Sequence, residues 1–582
     1  MTSVTAAEVS PRRRVFLEDH LWRIWFRRNN SYLRNRVTSA RVTKDALHGV
    51  SLEDALSICG FGRYQRFIAL VGGLCWLSCA LQNSLSAYIL PSIKCEMHVS
   101  SSMLGLFNAV FLAVWDSSHP PRDPCNLEAP SPAILQSAPL FNDWFYDKMF
   151  NFRSFGGLPG IGRRPVLIYG MAIDSCLTII SSFSQNFYLL LVARFLSGFI
   201  VGGPAAIIPA FVGEFQPGSK RQQVICYLGF FWTVSWVILP GVAWLIIPMN
   251  IHLHWGGYSY SSWRFIILLV SVPSLISSVL IHRYPESPRF LLAQGRAPET
   301  LDILSSIWEV NTGKKADNYP VKSLDYVTNT SAIKEEPKSI WRPLKMMLTQ
   351  WQSLLAMPVL PITLLGCFLF FSNMFGYYGL GLWLPELVNR FEAHYAVSNK
   401  TVTLCDLTSK VDNSEESNEE CVIPSTVFMQ SLVIGSMGLV GNGLSGLLSS
   451  KFPRPVMPVI LMAAAGVSVL TLYLVQSSFQ NLLVSTIFQF CIGTCNMVYN
   501  ALVVDMFPAD ISGIAICMCV MSGRLGAMVS NLVLGHLLDV SCFVPILLCA
   551  AIILLGAVFS AFIPKVPYCE QIKEQEKSVI KA

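Results

Sequence analysis

The sequence predicts an all-α membrane protein built from two sets of spanning helices. The chain has 582 residues, of which 53% are hydrophobic and 13% charged, whereas soluble proteins carry about 25% charged residues. Its mean hydropathy is +0.49. A bilayer core of about 30 Å needs roughly 20 apolar residues per helix. Apolar segments of this kind lie on both sides of Tyr284–Arg296, a stretch whose prolines and charges exclude it from the membrane interior.

The chain begins with a basic tail, residues 1–65, which we expect to be cytoplasmic. Its first apolar run starts near Phe67, too late for a cleaved signal sequence, so the first span should be an uncleaved anchor. Val15–Arg28 fits either an amphipathic helix on the inner leaflet or an unstructured tail. Ser51, with Asp54 three residues later, predicts a short capped helix that ends at Gly60 or Gly62.

Eleven apolar segments are long enough to span the membrane. Five belong to an amino-terminal bundle, residues 66–282, and six to a carboxyl-terminal bundle, residues 357–563. The spans are near 66–90, 165–184, 188–213, 224–247 and 264–282, and then near 357–386, 425–448, 456–476, 482–504, 513–537 and 543–563.

One helix is missing from the first half. Both termini and the 283–356 segment are rich in Lys and Arg, which places all three in the cytoplasm and requires an even number of spans. Met103–Trp115 is apolar but short, and a proline-rich stretch follows it. We therefore predict a second helix interrupted by an atypical insertion at 116–154, which is either retained intron sequence in a gene model or a genuine re-entrant loop.

The loops differ in character on the two sides of the membrane. Residues 283–356 form a central cytoplasmic loop, and 564–582 a cytoplasmic tail. Residues 387–423 are acidic and should be luminal or extracellular. There the sequon at Asn399 predicts glycosylation, and Cys405 and Cys421 could pair in an oxidising compartment.

Several motifs mark the ends of spans. Gly157 and Gly162-Arg163-Arg164 precede the third span, and Gly446 to Arg454 precedes the ninth. Both resemble the loop between the second and third helices of each half in the major facilitator superfamily. That resemblance implies close helix approach and pairing of charges across a cytoplasmic gate. Pro159 stands where the family motif has Asp, which would remove this gate contact.

Other motifs strengthen the resemblance. An Arg within a span is costly unless it is paired, so Arg194 should face the bundle interior. Glu214 and Arg221 follow the fourth span, and Glu286 and Arg289 lie in a stretch similar to the signature after the sixth helix of sugar and organic-ion carriers. Together these residues imply the major facilitator fold, with two six-helix bundles.

A finer resemblance is to the synaptic vesicle glycoprotein 2 and SVOP-like branch. It rests on residues 59–65, Leu90-Pro91, Tyr377 to Leu380, Asn500 to Leu502 and Ser522 to Ala527. The family carries acidic residues in the first span where Cys79 and Gln82 fall here, which puts proton coupling through that helix in question.

The resemblance implies a central cavity lined from both halves, as in transporters generally. The candidate substrate-binding residues are Trp232, Trp236, Tyr377, Tyr378, Trp383, Asn500 and Arg524. Each has a structural alternative: helix packing or an interfacial belt for the aromatic residues, and interhelical hydrogen bonding for Asn500 and Gln82. Arg524 would attract an anion or a carboxylate. Asp174 is either its partner, a proton carrier or a structural residue.

We therefore expect a transporter that moves a small organic solute, an organic ion or a sugar-like molecule, by alternating access. Facilitated and proton-coupled transport both remain open. The alternative is a vesicle membrane protein that binds ligands or protein partners without transporting. We expect no metal site, because neither paired CxxC motifs nor HExxH occurs. We expect no enzymatic activity and no cofactor, because no set of nucleophile, base and metal stands out in the sequence. The expected partners are the bilayer and a solute, with no nucleic acid, and the expected location is a secretory or synaptic-type vesicle or the plasma membrane.

Overall fold

A computed structural model describes residues 49–112, 162–249, 251–256, 258–325, 354, 357, 359–397, 423–449, 455–507, 509–538 and 543–564. The predicted insertion lies outside these residues, as do the motif residues Gly157 and Arg454, the sequon Asn399 and the cysteines Cys405 and Cys421.

The first half begins with a short helix and continues with helices that run alternately in opposite directions. These are α1 (Leu52–Cys59), α2 (Arg63–Met97), α3 (Ser101–Leu112), α4 (Arg163–Ser182), α5 (Phe187–Glu214), α6 (Gly218–Ile246) and α7 (Ser262–His282). Between α6 and α7 lies an antiparallel hairpin of β1 (His252–Trp255) and β2 (Tyr258–Ser261). Two further helices follow, α8 (Pro288–Ala293) and α9 (Ala297–Thr312).

The second half repeats the alternation. Its helices are α10 (Leu360–Met374), α11 (Gly381–Val397), α12 (Ser425–Ser449), α13 (Val456–Leu472), α14 (Ser478–Met506), α15 (Ala509–Leu537) and α16 (Phe543–Ser560). A π-helical segment, Phe375–Leu380, joins α10 to α11 so that the three form one continuous span. Such π turns often mark functional sites.

Ten of these helical segments are long and apolar enough to cross a membrane, and α3 and α13 are shorter apolar helices. In the described part of the chain this gives six apolar helices in each half, in agreement with the predicted fold. Helix α3 packs against α5 and α15, so it occupies the place of the helix that the apolar pattern left incomplete.

The two halves meet along three pairs of helices, α2 with α11, α3 with α15 and α6 with α12. We call the face that carries β1 and β2 the hairpin face, and the face that carries α8 and α9 the linker face. At the α3–α15 crossing, a Cβ on Gly105 would lie 2.8 Å from the Cα of Gly535. At the α6–α12 crossing, a Cβ on Gly435 would lie 2.0 Å from the carbonyl oxygen of Trp236.

On the linker face, α1 begins as predicted. The Asp54 N–H donates to the Ser51 Oγ at 3.2 Å, and the helix ends at Gly60, whose φ of 69° favours glycine. Cys59 lies in contact with the Tyr319 hydroxyl at 3.5 Å. Burial raises the pKa of the Cys59 thiol to about 11, so this thiol stays protonated and packs as a small apolar group.

Candidate transport site and gates

A small pocket lies between the two bundles. Its lining comes from α6, the π-helical segment, α12 and α14, and includes Thr233, Trp236, Tyr377, Asn442, Gln489 and Gly493. The rings of Trp236 and Tyr377 meet edge to face at 5.7 Å. The pocket therefore brings together two of the predicted aromatic residues, one from each half of the chain.

Two polar atoms in this pocket have no hydrogen-bond partner among the described residues. They are the indole Nε1 of Trp236, on α6, and the side-chain oxygen of Gln489, on α14. Both residues are more than nine-tenths buried. A buried polar group that lacks a partner costs about 1–3 kcal/mol, so a solute or a water that hydrogen-bonds to these atoms would stabilise the site.

Tyr378 and Arg524 lie beside the pocket. The Tyr378 ring meets that of Tyr377 edge to face at 4.9 Å, and the Arg524 guanidinium lies 5.1 Å from the Tyr378 ring centroid, within the range of a cation–π contact. Tyr88, on α2, belongs to the same buried cluster as Trp236 and Tyr377.

The remaining predicted residues lie apart from the pocket lining. Trp232 is half-buried and packs against Trp76 with ring centroids 6.3 Å apart. Trp383 is fully buried in the large core cluster, and its Nε1 lacks a partner in the described part of the chain. Asn500 is exposed and donates to the carbonyl oxygen of Asn496 at 2.8 Å.

Asn500 nevertheless shares a helix face with the pocket. On α14, Asn500 comes seven residues after Gly493 and eleven after Gln489. These spacings are close to two and three helical turns, so the three residues lie on the same side of the helix. This face therefore runs from the pocket toward the linker face.

The amino-terminal bundle holds a second buried polar group around Gln82. Arg194 is 1% exposed and donates to the side-chain oxygen of Gln82 at 2.8 Å and to its carbonyl oxygen at 2.6 Å. The Gln82 amide donates to Asp174 at 3.2 Å, and the hydroxyls of Ser197 and Ser274 donate to the same carboxylate. Arg194 thus faces the interior as predicted, and Asp174 belongs to its network rather than to that of Arg524.

The predicted motif residues at the linker face also come together. Glu286 accepts from the backbone N–H groups of Arg163 and Arg164, the first residues of α4. A Cβ on Gly162 would lie 2.0 Å from the Glu286 carboxylate, so any larger residue there would have to displace this carboxylate. Arg163 pairs with Glu214 at 3.2 Å. Burial raises the pKa of Glu286 although these N–H groups favour its ionised form.

Arg221 and Arg289 share a third carboxylate. Glu53, on α1, lies 2.6 Å from Arg221 and 3.7 Å from Arg289. This contact ties α1 to α6 and to α8. All the motif contacts named here join elements of the first half and its following segment, rather than the two bundles.

Sequence reasoning missed Thr233, Asn442 and Gln489 in the pocket, and Tyr88 in the buried cluster that contains Trp236 and Tyr377. Gln489 carried a usable signal, because an amide in the middle of an apolar span needs a partner or a function. Asn442, within the predicted 425–448 span, carried the same signal, whereas Thr233 and Tyr88 had no distinguishing pattern in the sequence.

The comparisons with known proteins agree with this fold. A family profile described as "Sugar (and other) transporter" matches residues 159–383. Synaptic vesicle glycoprotein 2B of Mus musculus is 26% identical over 360 residues, 58% of this chain and 47% of that protein. Synaptic vesicle glycoprotein 2A of Rattus norvegicus is 26% identical over 372 residues, 60% of this chain and 45% of that protein. The chain thus matches less than half the length of these curated relatives.

Among solved structures, the inward open conformation of the xylose transporter XylE from E. coli aligns with a TM-score of 0.57 at 16% identity, covering 86% of this chain and 97% of that one. A D-xylose-proton symporter aligns with a TM-score of 0.56 at 15% identity, covering 86% and 99%. The predicted resemblance is confirmed: the chain is a multi-pass membrane protein with the major facilitator fold, similar to the sugar (and other) transporter family and to synaptic vesicle glycoprotein 2.

Proposed function

We propose that this protein transports a small polar organic solute by alternating access. The observation that carries the proposal is the pair of unpartnered atoms, the Trp236 Nε1 from the first half and the Gln489 side-chain oxygen from the second. A solute that accepts a hydrogen bond from the Trp236 indole and donates one to Gln489 would contact both bundles at once. It would be released when the bundles move apart. The site would then face each side of the membrane in turn.

The pocket chemistry favours an uncharged solute with hydroxyl or amide groups. The side chains named above as its lining are indole, phenol, hydroxyl and amide groups. Arg524 lies behind Tyr378, where it would polarise the aromatic wall. Between the two predicted classes, a sugar-like molecule therefore fits the lining better than an organic ion.

The test is uptake of a panel of radiolabelled solutes by proteoliposomes. We expect Trp236→Phe and Gln489→Ala to reduce uptake of the transported solute at least tenfold, the size of about 1.4 kcal/mol. Trp244→Phe, an exposed residue on the same helix as Trp236, is the matched control and should leave uptake unchanged. Ligand binding without flux of any solute would instead favour the non-transporting vesicle protein.

For a coupling proton, we assign Asp174 as the carrier. Its carboxylate is fully buried and is linked through the Gln82 amide to Arg194. Asp174→Asn should abolish accumulation driven by a pH gradient while keeping exchange of solute between equal concentrations. If the parent protein accumulates solute to the same level with and without a pH gradient, proton coupling is excluded.

We further propose that the linker face and both termini are cytoplasmic, in a vesicle or plasma membrane. Cys95, near the hairpin-face end of α2, forms a disulfide bond, which supports an oxidising compartment on that side. The acidic 387–423 segment connects helices at the same face. In intact vesicles the cytoplasmic side faces the medium, so an impermeant amine reagent should label both termini, and protection of either one would contradict this orientation.

A further inference from the structure

We propose that the hairpin face is held closed by an ionic latch between the two bundles, formed by Lys94, Ser101, Glu386 and Arg390. Lys94 and Ser101 belong to the first half, on α2 and α3. Glu386 and Arg390 belong to the second half, on α11. This latch rests on the alternating access proposed above, and it would favour the conformation that is closed at the hairpin face.

The contacts of the latch cross the boundary between the halves twice. The Lys94 ammonium lies 3.5 Å from the Glu386 carboxylate, and the Arg390 guanidinium donates to the Ser101 hydroxyl at 2.8 Å. Within α11, Arg390 also pairs with Glu386 at 2.9 Å. One carboxylate thus faces a cation from each half of the protein.

Burial makes the crossing contact sensitive to conformation. The Glu386 side chain is 1% exposed, so its charge depends on the nearby cations rather than on water for its stabilisation. When α2 and α3 move away from α11, Glu386 loses Lys94 but keeps Arg390, which travels with it. The Lys94 contact is therefore present only while the hairpin face is closed.

A neighbouring ion pair provides an internal comparison. Glu96 lies two residues after Lys94 and pairs with Arg264, and it also accepts from the Trp263 Nε1 at 2.6 Å and from the Ser261 hydroxyl. All of these partners belong to the first half, so movement of one half against the other leaves this pair intact. A change at Glu96 removes the same charge at the same face without touching the boundary.

The test measures conformation in the full chain without any solute, so an absence of transport would not decide it. Ketone-bearing amino acids replace Leu253 and Phe479, which are exposed at the hairpin face in the first and second half. The spin labels attach to the ketone groups, so the native cysteines stay unmodified. Pulsed electron paramagnetic resonance in lipid nanodiscs then gives the distance between the halves. Thermal unfolding confirms that each variant is folded.

We expect Lys94→Met and Glu386→Gln each to raise the ratio of long to short distances by about tenfold, the effect of losing about 1.4 kcal/mol of differential stabilisation. The double variant should shift it no further than the stronger single variant, because both changes remove one contact. Lys94→Arg should behave as the parent.

Three results would overturn the latch. The first is a distance distribution unchanged in both single variants. The second is an additive effect in the double variant, which would mean that the two residues act separately. The third is an equal shift in Glu96→Gln, which would mean that any loss of negative charge at this face opens it.

Discussion

Replacement of Arg194 by Met tests whether the buried polar network stabilises the amino-terminal bundle. Arg194 makes two hydrogen bonds to Gln82, and its guanidinium lies 4.4 Å from the Phe111 ring centroid. Met fills a similar volume but donates nothing. The variant would leave two oxygens of Gln82 without these donors, and Asp174 without the nearby cation.

The expected loss follows from those contacts. Removing one partner of a buried ion pair typically costs 3–5 kcal/mol, and here we expect about 3 kcal/mol of unfolding free energy. The lower end applies because the Gln82 amide lies between the two charges, and because the hydroxyls of Ser197 and Ser274 still donate to Asp174.

Denaturant unfolding in detergent micelles measures the loss for Arg194→Met, Asp174→Asn and the double variant. The double variant should be less destabilised than the sum of the single variants by more than about 1 kcal/mol, because it leaves no uncompensated charge. Arg296→Met, which breaks an exposed pair with Glu299, serves as the control and should change stability by less than about 0.5 kcal/mol. Additive single effects would refute the network as a unit.

Three further predictions concern a helix crossing, a buried carboxylate and the sequon. Gly435→Ala should raise the ratio of long to short distances between the spin labels by about 5- to 150-fold, the equivalent of about 1–3 kcal/mol of overpacking. The reason is that its Cβ would lie 2.0 Å from the Trp236 carbonyl oxygen. An unchanged distance distribution would contradict this prediction. Glu286 has a raised pKa, so its ionisation should cost stability as the pH rises above the unfolded value of 4.5 through the folded value. Glu286→Gln should therefore gain unfolding free energy relative to the parent between pH 4 and 7, and a constant difference would refute the burial effect. Enzymatic removal of N-linked sugar should increase gel mobility, and Asn399→Gln should remove that shift; identical mobility with and without the enzyme would exclude glycosylation.

The sequence was sufficient for those features that a single segment encodes. Length and hydropathy predicted the spans, because lipid requires about 20 apolar residues in a helix wherever they occur in the chain. Ser51 predicted the start of α1, because a cap needs only the residues next to it. The cost of an unpaired charge in lipid predicted the inward orientation of Arg194, and the structure confirms this orientation.

The pocket could not be assigned from one helix alone. Trp232 and Trp236 are four residues apart, so spacing gives both the same face of α6. That helix packs against α2 on one side and α12 on the other, and the two rings diverge. Trp232 meets Trp76, whereas Trp236 meets Tyr377. Which neighbour a residue meets depends on how the helices cross, and that is set by side chains distant in the sequence.

The latch shows the same limit for charged residues. Lys94 and Glu386 are 292 positions apart, and each lies near the end of a span, where a charge normally contacts water or lipid headgroups. Either residue alone is consistent with an ordinary interfacial position. The contact becomes evident only when α2 and α11 are placed side by side.

Two kinds of contact join the two halves on the side of the hairpin face, and they respond differently to movement. The helix crossings at Gly105 with Gly535 and at Gly435 with Trp236 are backbone contacts with no room for a Cβ. Such contacts fall off steeply with distance, so a small displacement removes them. The Lys94–Glu386 attraction decays more slowly and would still pull on partly separated bundles. Close packing should therefore set the geometry of the closed state, while the ion pair draws the bundles back toward it.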